Sequence, residues 1–110
     1  MQYLIIGHDG TDNKAAQRRL AARAAHIELG EKLRQSGNMW YGAALWDEKN
    51  NMVGSMLLMD FPSKDDLNNW LDNEPYVVGK VWEKYEVMKC NVREPWQFNR
   101  PKEWFKENKR

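Results

Sequence analysis

Two runs of this 110-residue chain, residues 39–46 and 52–61, are apolar at both parities. In the first, Met39, Tyr41, Ala43 and Leu45 alternate with Trp40, Ala44 and Trp46; in the second, Val53, Leu57 and Met59 alternate with Met52, Met56 and Leu58. Successive side chains of a strand point to opposite faces of its sheet, so a face open to water shows polar residues at every second position. Neither run does, and both faces of the sheet they belong to must be covered. The polar segment Asp47-Glu48-Lys49-Asn50-Asn51 between them supplies turn chemistry, which makes the pair a β-hairpin.

The flanking segments complete the order. Residues 2–8 are β-prone and end at the turn signal Asp9-Gly10. Thr11 or Asp12 can cap a helix that runs uninterrupted to about Gln35 and closes near Ser36-Gly37. After the hairpin, Ser63 is placed as the N-cap of a second helix, with Asp66 three residues on, and this helix runs to about Leu71. Pro75 opens one further helical turn, and residues 81–92 read as a last strand. A β-α-β-β-α-β order with right-handed crossovers predicts an α+β, ferredoxin-like βαββαβ sandwich: a four-stranded antiparallel sheet with two helices on one face. The other face is then bare yet apolar. The simplest cover is the same sheet of a second copy, giving a homodimer through the sheet face, a dimeric α+β barrel.

Composition narrows the partners. Seventeen basic and sixteen acidic residues leave a formal charge of +1, which argues against a nucleic-acid binder, although residues 91–110 alone carry +3. One cysteine, Cys90, excludes an internal disulfide and a multi-cysteine metal site, and reads as a small strand residue in a cytoplasmic protein. The first residues lack the basic stretch and long apolar run of a signal peptide, and no segment is long enough to span a bilayer. Residues 1–96 are expected to form the domain. Residues 97–110 form an aromatic and basic tail, with a short helix over 102–109; with Trp96, it brings Phe98, Trp104 and Phe105, which are expected to dock on the domain or its partner.

Few residues are placed for chemistry. At 100° per residue His26 shares a stripe with Ala22, Leu29, Gly30 and Leu33, so it faces inward, with Arg23 at the stripe's border as a group that can hold an anion. Asp72 and Glu74 flank Asn73 where the second helix must end, because Pro75 disfavours helical geometry at the residue before it. One of these carboxylates can cap the turn that starts at Pro75. One can orient the His26 imidazole and leave its other nitrogen for a substrate proton. His8 can line the same pocket. No spacing of the H-x-x-x-H kind supports a metal site, and no cofactor is expected.

The run Arg23-Ala24-Ala25-His26, followed by Leu33, Gly37, the strand from Met39 to Gly42, Glu74-Pro75-Tyr76-Val77 and Pro95-Trp96, resembles the YciI-like (YCII-related) family. The resemblance implies a ferredoxin-like dimeric α+β barrel over about residues 1–96. It also implies an active-site dyad of a histidine, matched by His26, and an aspartate before the proline, matched here by Glu74. Glutamate is one methylene longer, which leaves Asp72 as a competing partner, and Ala24 replaces a proline often found there. The activity that the resemblance implies is that of a cofactor-independent small-molecule enzyme, lyase or hydrolase-like, at least one relative being similar to a dehydrochlorinase of a hydroxylated ring. His26, Glu74 and Asp72 are its candidate catalytic residues, and Arg23, Tyr76 and His8 its candidate substrate contacts. The alternative is a non-catalytic ligand-binding or interaction module whose histidine and carboxylate only tie two helices together.

Overall fold

The structure, a computed structural model, describes residues 1–94 and 100–107. Its elements follow the expected order: β1 (Gln2–Asp9), α1 (Ala15–Ser36), β2 (Met39–Trp46), β3 (Met52–Asp60), α2 (Lys64–Asn73), the single turn α3 (Pro75–Val78), β4 (Trp82–Cys90) and a tail helix α4 (Lys102–Glu107). The strands form one antiparallel sheet in the order β2-β3-β1-β4, the ferredoxin-like arrangement. Trp96 and Phe98 lie outside the described residues.

Local chemistry sets the element ends. Gly37 closes α1 at φ 85°, where its N–H and that of Asn38 return to the carbonyls of Arg34 and Leu33. Ser63 Oγ accepts the Asp66 N–H at 3.2 Å, and its hydroxyl donates to the Asp66 carboxylate at 2.8 Å. The start of α1 departs from expectation: the N-cap is Lys14, without a side-chain cap, and Asp12 lies two residues before it, where Oδ2 accepts the Lys14 N–H at 3.3 Å. Asp12 also receives both terminal nitrogens of Arg18, at 2.6 and 2.8 Å, and that guanidinium holds its carboxyl well below the usual range.

The core lies between the sheet and the helices. It is built from Tyr3 and Ile5 of β1, Leu57 and Met59 of β3, Leu67, Trp70 and Leu71 of α2, Tyr76 of α3, and Phe61, Val81 and Trp82. No residue of α1 is buried; Ala22, Leu29 and Leu33 only lean against this core. The long helix therefore stands off from the sheet along β2 and β3.

Register corrects one parity. A shift between Met39 and Tyr41 puts Met39 opposite Met59 on the helix side, beneath Gly30, while Tyr41, Ala43 and Leu45 face the other way. Leu4, Ile6, Met56, Leu58 and Met88 share that other face, and none of them belongs to the core cluster beneath the helices. A second irregularity, between His8 and Asp9, pairs Trp82 with Asp9. Strict alternation from Lys84 would send Trp82 to the open face; the bulge turns it to the helix side, where it is buried.

Candidate functional site

Pro75 forces extended geometry on Glu74, whose φ and ψ are −65° and 124°. The carboxylate is thereby turned inward beneath α1 and is 2% exposed. Its Oε1 accepts the Tyr76 N–H at 3.1 Å, capping α3, and also meets Nδ1 of His26. Capping and pairing, expected of two carboxylates, fall to one oxygen. An ionised carboxylate only accepts, so Nδ1 carries the hydrogen and Nε2 is the nitrogen left for a substrate. Among the described residues Nε2 has no hydrogen-bond partner, and it is not sealed from solvent.

The imidazole is held on two further sides. Tyr76 stacks on it with ring centroids 3.8 Å apart and planes 4° from parallel, and Trp82 stands edge-on at 6.4 Å. Burial pushes the Tyr76 hydroxyl above the usual tyrosine range, with the charges of Arg19 and Arg23 acting the other way.

Beside this group a cleft of about 340 Å³ opens between α1 and the β2–β3 side of the sheet. Arg19, Arg23 and His26 form its helix wall, and Gly42, Ala44 and Leu57 part of its floor. Arg23 is exposed and makes no hydrogen bond or ion pair among the described residues.

Two expected residues are elsewhere. Asp72 points to solvent because α2 continues two residues past Leu71 and holds it on the helix face opposite the core. His8 shares the open sheet face with Glu86, to which its Nε2 bonds at 2.7 Å, and does not line the cleft.

Sequence reasoning missed a second group. Arg19, two helical turns before His26, pairs with buried Asp9 at 2.7 Å, reaches Ser55 Oγ at 3.3 Å and lies over the Tyr76 ring at 5.0 Å. Trp82 Nε1 also donates to Ser55 Oγ, at 3.3 Å; a side chain on Gly7 would collide with this indole, so the bare glycine lets it cross β1. One signal was present in the sequence: Ser55 interrupts the apolar parity of Val53, Leu57 and Met59. Among the described residues no three His, Cys, Asp or Glu side chains cluster as a metal site would require, and no helix is long and apolar enough to cross a membrane.

The YCII-related domain family matches residues 1–93. Protein YciI of Escherichia coli O6:H1 is 27% identical over 93 residues, which cover 79% of this chain and 93% of that protein, and Protein YciI of Shigella flexneri matches to the same extent. Among solved structures, the 5-chloro-2-hydroxyhydroquinone dehydrochlorinase from Burkholderia phenoliruptrix AC1100, in complex with 2,5-dihydroxybenzoquinone, superposes with a TM-score of 0.72 at 22% identity, over 86% of this chain and 97% of that one. A dimeric ferredoxin-like protein of unknown function from Jannaschia sp. CCS1 superposes with a TM-score of 0.54 at 11% identity, over 83% and 98%. The two solved structures share the fold, and the family match spans the whole sheet and the helices α1 and α3 whose residues line the cleft. This chain belongs to the YCII-related family.

Proposed function

We propose that this protein is a cofactor-independent enzyme acting on a small molecule, in which His26 Nε2 takes a proton from the substrate while Glu74 holds Nδ1. The observation that carries the reading is the pairing of Nδ1 with a buried carboxylate while the same ring borders the cleft. Glu74 fixes the tautomer and offsets the charge the ring acquires on protonation. Arg23 and the Tyr76 side chain are substrate contacts in this scheme. The fold's likeness to a dehydrochlorinase favours a lyase, in which removal of the proton is followed by departure of a leaving group. The working form is a cytoplasmic homodimer joined through the open sheet face, as the dimeric ferredoxin-like neighbour supports, with the tail docked on the domain or its partner.

The test is a thermal-shift screen of small carboxylates and hydroxylated aromatics, followed by turnover assays on each compound that protects the fold. With a turned-over compound, His26→Ala is expected to lower kcat by about 10²-fold or more. Unchanged turnover in that variant sinks the proposal. One observation favours the second reading, a non-catalytic binding module: the Glu74 oxygen also caps α3, so the pair has a structural use. That reading predicts ligands that protect the fold and are never converted.

A further inference from the structure

The hydroxyl of Ser55 is saturated as an acceptor and unspent as a donor. Its oxygen receives Arg19 Nη2 and Trp82 Nε1, both at 3.3 Å, which occupies its two lone pairs. Its own hydrogen finds no acceptor among the described residues, although Ser55 is only 3% exposed. A buried donor left without a partner is costly, and Ser55 lines the cleft. The hydrogen is therefore available to an acceptor that enters from the cleft.

The charges around the cleft have one sign. Arg19, Arg23 and Arg34 line it, at positions that share a face of α1, and no carboxylate of the described residues does; Asp9 and Glu74 lie behind the lining. Arg19 is neutralised by Asp9, and Arg34 bonds to Glu31. Arg23 alone of the three is unpaired among the described residues. Besides His26, Tyr76 and Ser55, the rest of the lining is apolar: Ile27 from α1 and Met39, Ala44, Met52 and Leu57 from the sheet. A cleft of about 340 Å³ is at the small end of the range for organic ligands, about 300–1,000 Å³.

We infer that the Ser55 hydroxyl and the Arg23 guanidinium form an anion-binding subsite, and that the ligand is a small organic monoanion, one carboxylate or phenolate oxygen group on an apolar body the size of a single ring. Ser55 donates to one oxygen while Arg23 supplies the charge; the apolar walls take the ring. The inference rests on the proposed active-site reading for its choice of cleft and names the substrate class of that site.

The experiment is calorimetric titration of the full chain with sodium benzoate at neutral pH, with benzamide as the neutral isostere and 4-nitrophenolate, above the phenol's pKa, as the phenolate arm. Benzoate or 4-nitrophenolate is expected to bind, and whichever binds names the oxygen group. Benzamide should bind at least about tenfold more weakly than benzoate if the carboxylate is the group recognised. Arg23→Met, at an exposed position that leaves the fold intact, should weaken the bound anion on the order of tenfold, and Ser55→Ala by a similar factor. Should Ser55→Ala unfold because two buried donors lose their acceptor, Arg23→Met and the benzamide control decide alone. Binding of neither anion at millimolar concentration, equal affinity for benzoate and benzamide, or an affinity unmoved by Arg23→Met overturns the subsite. Because binding is read without turnover, the two proposals fail separately. An anion held through Arg23 with no compound converted keeps the subsite and loses the enzyme. Turnover lost with His26→Ala, with anion affinity indifferent to Arg23→Met, does the reverse.

Discussion

Glu74 does with one oxygen what the sequence offered two carboxylates to do. Its side chain is longer by one methylene than aspartate, and Oε1 reaches both the His26 ring and the Tyr76 N–H. Glu74→Ala should therefore lose a helix cap, worth about 1 kcal/mol, and strand a half-buried ring N–H, for a total near 3 kcal/mol in urea unfolding. A loss well under about 1 kcal/mol would mean that the pairing adds nothing to stability. Tyr76 gives a second expectation. Its hydroxyl is pushed above the usual range by burial, so between about pH 10 and that raised value the unfolded chain binds fewer protons than the folded one. Its contribution is intact below about pH 10 and is lost as pH rises further. In an alkaline absorbance titration, Tyr76→Phe should remove a tyrosine that ionises above about pH 10; loss of one that ionises at or below that pH refutes the assignment.

The helix α1 is moored differently from α2. Leu67, Trp70 and Leu71 sink α2 into the core, whereas α1 buries nothing fully and is tied by Arg18 to Asp12, Arg19 to Asp9 and His26 to Glu74. A polar mooring leaves room beneath the helix, and that room is the cleft. The seat of α1 then depends on where the helix stops. Gly37 holds the left-handed conformation that ends it, so Gly37→Ala should cost about 1–2 kcal/mol in thermal or urea melts even though open space surrounds the position. A neutral result would show that the closing turn relaxes to another geometry. The second helix shows how far local reasoning reaches. Its cap at Ser63 and its stop before Pro75 were legible, but its extra two residues were not, and those two residues carry Asp72 away from His26.

At the scale of the molecule, the sheet is a wall with one face used by the core and one left apolar. Leu4, Ile6, Tyr41, Leu45, Leu58 and Met88 on that face are too many for a chain meant to leave it in water. Light scattering is expected to find a dimer at micromolar concentration for the natural chain, and a monomer for Leu58→Lys, which sets a charge in the middle of the face. A natural chain that elutes as a monomer contradicts the sheet-face assembly. Removing residues 97–110 tests the tail separately: unchanged melting and solubility would show that it does not dock.

The sequence by itself determined the element order, the inward stripe of His26, the stops at Gly37 and Pro75 and the apolar character of both sheet faces. Each of these depends on periodicity or turn chemistry within a few neighbouring residues. Tertiary structure alone decided which carboxylate meets His26, that Arg19, Asp9 and Ser55 converge from α1, β1 and β3, and that His8 faces away from them. The physical reason is that such meetings depend on strand register, on a bulge that turns Trp82 inward and on how deeply a helix seats. Those are properties of the summed packing, and no short stretch of chain contains them.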